Sequence, residues 1–85
     1  MTMPEIIYEE MPTRWILKEF LDKNGITAYA LAKETGIALN NIYNVCDPQT
    51  IPRKKNLDKI ILGLRELTSK KVDISDLLVW EESDA

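Results

Sequence analysis

Apolar residues recur at helical spacing through most of the chain, and glycines and prolines divide that pattern into short segments. In the first segment Leu17, Phe20 and Leu21 share one face, and Asn24-Gly25 ends the pattern. In the last, Asn56 can cap a helix whose apolar stripe is Ile60, Ile61, Leu64 and Leu67. The predicted helices cover 14–23, 28–35, 39–46 and 57–69.

The two ends of the chain have a different pattern. Residues 1–11 alternate loosely and form either an arm or a short strand, and Leu77–Glu82 is the only other strand-like run. A lone strand needs a partner, so we expect any terminal strands to pair, within one chain or across a dimer. The predicted fold class is all-α, a compact four- or five-helix bundle with short terminal strands as an open alternative. The predicted organisation is an arm (1–11), one domain (12–79) and an acidic tail (80–85).

The chain is organised around 27–45, where two helical patterns meet at Thr35-Gly36-Ile37. Glycine can supply the positive φ that a left-handed helix end requires. Ala32 is small and lies on the inner face, so the second helix can cross close to the first. We therefore predict a helix-turn-helix, whose second helix can enter a DNA major groove.

The residues Leu31-Ala32, Gly36-Ile37 and Ile42 resemble the XRE/Cro-type helix-turn-helix family of small phage-repressor-like regulators. Leu57, Ile60, Ile61 and Leu64 are similar to the fourth helix of that family, and Ile74–Leu78 to its closing helical turn. The resemblance covers 12–78 and implies a lambda-repressor-like fold that acts in transcription regulation. Ala28, Ala38 and Leu39 differ from the polar residues that the family usually has at those positions.

The outward face of the predicted third helix carries candidate base contacts, because Ile42 and Val45 should point into the core. Asparagine can bond adenine with two hydrogen bonds in the major groove, and leucine can touch a thymine methyl group. Tyrosine can bond a phosphate. The predicted base-contacting residues are Leu39, Asn40, Tyr43 and Asn44.

Basic and helix-start residues are the candidate contacts to the DNA backbone. The densest positive charge follows the third helix, and the N-terminal amides of the second helix can meet a phosphate. The predicted backbone contacts are Thr27, Ala28, Tyr29, Lys33, Asn41, Arg53, Lys54 and Lys55. Taken one at a time, each lysine is better explained as an ordinary solvated side chain, and the DNA contact is indicated only by the cluster Arg53–Lys55.

Composition and charge narrow the function class. The net charge of the 85 residues is −3, but all eleven basic residues lie between Arg14 and Lys71, against six acidic ones there. Surface fields are local and screened within about 8–10 Å, so this positive body can bind phosphate despite the acidic ends. With no histidine and one cysteine, we expect no catalytic site, no metal, no cofactor and no enzyme activity. The lone Cys46 favours a cytoplasmic location and is either a redox switch or an ordinary half-buried cysteine.

The function predicted from these residues is sequence-specific binding of double-stranded DNA by a transcription regulator. A domain of this size offers few base contacts, so a homodimer on two half-sites is expected. The alternative is a protein-interaction module, such as the antitoxin of a toxin–antitoxin pair, that binds its partner through the C-terminal segment. The candidate interface residues are Ile7, Val79 and Trp80. No apolar run is long enough for a membrane span.

Overall fold

The structure is a computed structural model, and it describes residues 13–80. Four α-helices lie between two short strands, and a 3-10 turn precedes the second strand. The elements are β1 (Thr13–Trp15), α1 (Leu17–Lys23), α2 (Ala28–Thr35), α3 (Leu39–Asn44), α4 (Lys54–Thr68), the 3-10 turn (Ile74–Asp76) and β2 (Leu78–Trp80).

The prediction of an all-α bundle is wrong, because the chain forms a small α+β domain. β1 and β2 pair as an antiparallel two-stranded sheet, in which Trp15 lies opposite Leu78 and Thr13 opposite Trp80. Residues 14 and 15, predicted as the start of the first helix, lie in β1. Threonine and tryptophan favour strands, so the residues of β1 are suited to this pairing.

The strand pairing moves the start of the first helix and shortens the predicted closing turn. α1 begins at Leu17 rather than Arg14, and the helical turn predicted at Ile74–Leu78 is a 3-10 turn over Ile74–Asp76 that β2 follows. Asp73 caps that turn, since its carboxylate accepts from the Ile74 N–H at 2.8 Å. The strand predicted within 1–11 lies outside the described residues, and the predicted domain boundary after Val79 falls inside β2.

The junctions around α2 agree with the sequence pattern. Gly25 and Gly36 have φ of 64° and 75°, the left-handed region in which glycine is favoured. The Thr27 hydroxyl accepts from the Ala30 N–H at 3.0 Å and caps α2. α2 and α3 are thus joined by the three residues Gly36-Ile37-Ala38, as predicted.

One apolar core joins the two strands and the four helices. Trp15 from β1 is 1% exposed and belongs to this core together with residues of each helix and of the C-terminal segment. The other fully buried residues of the core are Leu17, Leu31, Ile42, Ile60, Leu64 and Leu77. Leu67, predicted on the buried stripe of α4, is 37% exposed at the end of that helix.

Gly63 marks the closest approach of α4 to α2. A Cβ atom built on Gly63 would lie 2.7 Å from the Thr35 methyl group. The Thr35 side chain cannot rotate away without losing a hydrogen bond, because its hydroxyl donates to the Leu31 carbonyl at 2.8 Å. The same hydroxyl accepts from the Ile37 N–H at 3.2 Å, in the turn before α3. Gly63 therefore lets α4 pack directly against the turn between α2 and α3.

We expect Gly63→Ala to destabilise the fold by about 1–3 kcal/mol through overpacking. Alanine in a helix interior would otherwise stabilise the fold by up to about 1 kcal/mol over glycine. The free energy of unfolding is measured by chemical denaturation of Gly63→Ala, of Thr35→Ser and of the variant that combines both. Serine removes the clashing methyl group and keeps the hydroxyl, so the double variant should regain most of the loss. A Gly63→Ala variant more stable than the parent would contradict the close approach.

Candidate nucleic-acid interface

α3 is a short helix with one buried side and one polar side. Ile42 is fully buried and Val45, the residue after the helix, is 9% exposed, so these two anchor it. Asn40, Asn41, Tyr43 and Asn44 are exposed. Within residues 13–80, the side-chain amides of the three asparagines take part in no hydrogen bond. They are therefore available to a ligand.

The predicted base-contacting residues do not all face outward. Asn40 and Asn44 are one helical turn apart and share a face, and Tyr43 beside them is 59% exposed. Leu39, predicted to face outward as well, is half-buried and packs against the core. Of the predicted base-contacting residues, the two amides and the phenol are thus exposed on α3.

The loop after α3 brings Arg53 next to this helix. Asn41, Asn44 and Arg53 line one open depression of about 350 Å³. Its other lining residues are Val45, Ile51, Pro52 and Asn56. Ile51 and Asn56 were not predicted as site residues, and no local sequence signal marks them, since only the path of the loop places them beside α3.

The basic cluster Arg53–Lys55 lies at a helix start and not in a loop. α4 begins at Lys54 with Arg53 as the N-cap residue, three residues earlier than the predicted cap Asn56. Cations are disfavoured at the positive end of a helix dipole. The later start was predicted because Asn56 can act as an N-cap residue. Lys54 bonds Asp58 at 2.8 Å, and this hydrogen bond raises the pKa of the lysine. Arg53 and Lys55 are exposed.

The remaining predicted backbone contacts lie at the start of α2, except Lys33, which lies in its last turn. Tyr29 is 65% exposed, and Lys33 is also exposed. Ala28 is half-buried against the core, so only its main chain can contribute. Thr27 already uses its hydroxyl as the cap. The structure thus leaves Tyr29 and Lys33 as the accessible side chains of this group.

Cys46 follows α3 and is half-buried. Burial raises the pKa of its thiol, and the positive charge of Lys18 offsets only part of this rise. Because burial dominates, the thiolate that a redox switch requires is disfavoured. Cys46 therefore fits an ordinary half-buried cysteine.

The described part of the chain offers little other chemistry. Residues 13–80 contain no group of three or more acidic or cysteine side chains that could hold a metal ion. No helix among them is both long and apolar enough to cross a membrane. Of the candidate interface residues, Val79 is half-buried and Trp80 is 64% exposed, while Ile7 lies outside the described range.

Searches of protein-family models, curated proteins and solved structures found no match to this chain. The resemblance to the XRE/Cro-type family therefore stays a prediction made from the residues.

The start of α3 is uncapped. Ala38 occupies the N-cap position with extended backbone angles (φ −58°, ψ 139°) and offers no side-chain hydrogen bond. We expect Ala38→Ser to stabilise the fold by about 0.5–2 kcal/mol by supplying that bond. Denaturation of the variant measures the gain, and Thr27→Ala, which removes the existing cap of α2, should shift stability by a similar amount in the opposite direction. No gain from Ala38→Ser would mean that α3 does not begin at Leu39.

Proposed function

We propose that this protein binds double-stranded DNA in a sequence-specific manner as a transcription regulator, with the exposed face of α3 in the major groove. The observation that supports the proposal most strongly is the asparagine cluster of α3, three exposed amides in a helix of six residues. Asparagine is a poor helix former, because its side chain competes for backbone hydrogen bonds. An unpaired amide face in so short a helix is better explained by a ligand than by stability.

The spacing of Asn40 and Asn44 suits adjacent bases. Side chains one helical turn apart have Cβ atoms about 5–6 Å apart, and successive bases along one strand rise by about 3.4 Å. Two amides on this face can therefore reach bases one or two steps apart. Because asparagine bonds adenine through N6 and N7, the preferred sites should contain adenine at those positions.

The cluster at the start of α4 supplies the backbone contact. Arg53 and Lys55 are exposed cations at the positive end of the helix dipole, which disfavours them, whereas Lys54 is paired with Asp58. A phosphate at this place would turn this unfavourable effect into a gain, since the helix amides and the cations attract the same anion. Arg53 shares the depression beside α3 with Asn41 and Asn44, so a phosphate there would adjoin the bases being read.

Two copies of the chain would act together in this proposal. One helix of six residues reads few base pairs, whereas a homodimer can read two half-sites about 34–36 Å apart. A regulator with one free cysteine also suits the reducing cytoplasm, where we place the protein.

A second function is favoured by the C-terminal strand. Trp80 is 64% exposed at the end of β2, and exposed tryptophan is enriched at protein interfaces. A protein partner, such as the toxin of a toxin–antitoxin pair, would contact Val79 and Trp80 while α3 remains available to DNA. This second function adds to the first and does not replace it.

Selection of bound sequences from random double-stranded DNA, followed by titration at several salt concentrations, tests the proposal. We expect enrichment of an adenine-containing motif in two half-sites. Affinity should fall steeply with salt, because each neutralised phosphate releases a counterion. Binding that does not change with salt, or no enrichment of any sequence, would refute DNA recognition.

Substitutions should separate base reading from phosphate contact. Asn40→Ala and Asn44→Ala should each cost about 1–3 kcal/mol on the selected site and relax its sequence preference. Arg53→Ala should weaken all sequences alike and reduce the salt slope by about 1. Lys71→Ala is the matched charge control, since this exposed lysine lies beyond the other end of α4. Equal effects of Arg53→Ala and Lys71→Ala would show only a loss of net charge.

A further inference from the structure

We propose that Trp15 is a positioning residue for α3, through which the pairing of β1 with β2 controls how this helix meets DNA. The proposal rests on the proposed function of α3. It adds a regulatory consequence, namely that a partner protein that draws β2 away from β1 would loosen the reading helix.

Trp15 contacts the chain just after α3 in two ways. Its indole N–H donates to the Val45 carbonyl at 2.6 Å, in a buried hydrogen bond between residues 30 positions apart. Its main-chain N–H donates to the Pro48 carbonyl at 3.4 Å. One residue of β1 therefore holds both ends of the segment 45–48.

α3 depends on such tertiary contacts. Six residues are too few for a stable isolated helix, and Ala38 gives α3 no side-chain cap at its start. The last carbonyl groups of any helix lack partners within it. The Trp15 indole supplies one such partner at Val45, the C-cap residue. The end of α3 is thus fixed from outside the helix.

The position of Trp15 depends in turn on the C-terminal strand. Trp15 lies opposite Leu78, and the next main-chain N–H, that of Ile16, donates to the Leu77 carbonyl at 2.7 Å. A sheet of two short strands is marginal by itself, so pairing and unpairing is accessible. Contacts therefore run from β2 through Trp15 to the end of α3.

Two variants interrupt these contacts at different points. Trp15→Phe removes the indole donor and keeps an aromatic ring in the core. Val79→Pro acts on the sheet, because the hydrogen-bonded pair Ile16–Leu77 makes Arg14–Val79 the next such pair of the ladder. Proline lacks the required N–H. Val79→Thr, which keeps both the N–H and strand propensity, is the matched control.

Hydrogen exchange of backbone amides is the first measurement, and it needs no DNA. The amides of Val45 and Cys46 bond within the end of α3, whereas those of Leu31 and Gly36 bond within α2. We expect both Trp15→Phe and Val79→Pro to speed exchange of the first pair about five- to tenfold and to leave the second pair unchanged. Val79→Thr should change neither pair. Equal acceleration of all amides would overturn the proposal, since Trp15 would then be an ordinary core residue.

Fluorescence gives an independent readout of the strand contact. The chain has two tryptophans, so Trp80→Phe leaves Trp15 as the single indole. Emission from this 1% exposed ring should shift to the red when Val79→Pro is added, and Val79→Thr should not shift it. An unshifted spectrum with Val79→Pro would disprove the dependence of Trp15 on β2.

DNA binding then tests the functional part. On the sequence selected by the parent protein, Trp15→Phe and Val79→Pro should reduce affinity about five- to tenfold, and binding to unrelated DNA should change less. If the parent protein binds no DNA, the proposed function fails while the exchange and fluorescence results still decide the coupling. If the parent binds and selectivity survives both variants, the coupling fails and DNA recognition stands.

Discussion

The hydrogen bond from the Trp15 indole to the Val45 carbonyl joins the two-stranded sheet to the helical part of this fold. At 2.6 Å and fully buried, it connects a strand at one end of the chain to the end of α3 in the middle. Leaving a buried donor or acceptor unpaired costs about 1–3 kcal/mol, so the strand and the helix are ordered together. The sheet therefore helps to fix the position at which α3 ends.

The helical middle of the domain was predictable because its signals are local. Thr27 caps α2, Gly36 has the positive φ that ends it, and Ile42 enters the core, each as the spacing indicates. The fold class was not predictable, because it depends on pairing between residues more than 60 positions apart. Threonine and tryptophan favour strands, but only the contact with β2 shows that residues 13–15 form one.

The candidate site shows the same division between local and long-range information. The exposure of Asn40, Tyr43 and Asn44 follows from helical periodicity once Ile42 is buried. The half-burial of Leu39 does not follow from that periodicity, and the placement of Arg53 beside Asn44 depends on the path of the loop after α3. The start of α4 at Lys54 was missed because Asn56 is a favoured N-cap residue, whereas Arg53 provides no side-chain cap.

Local stability rules are broken at α3 and at the start of α4. α3 begins without a cap and carries three asparagines, and α4 begins with three cations. Thr27 caps α2 and Asp73 caps the 3-10 turn, whereas α1 begins at Ile16 without a side-chain cap and Ser69 has a positive φ after α4. Sequences that specify a fold are consistent at most levels, and violations are expected where a binding site imposes its own requirement. Asn41 and Asn44 of α3 and Arg53 before α4 line the same depression. The proposed DNA ligand has base edges next to phosphates, so it would account for the exposed amides and the exposed cation together.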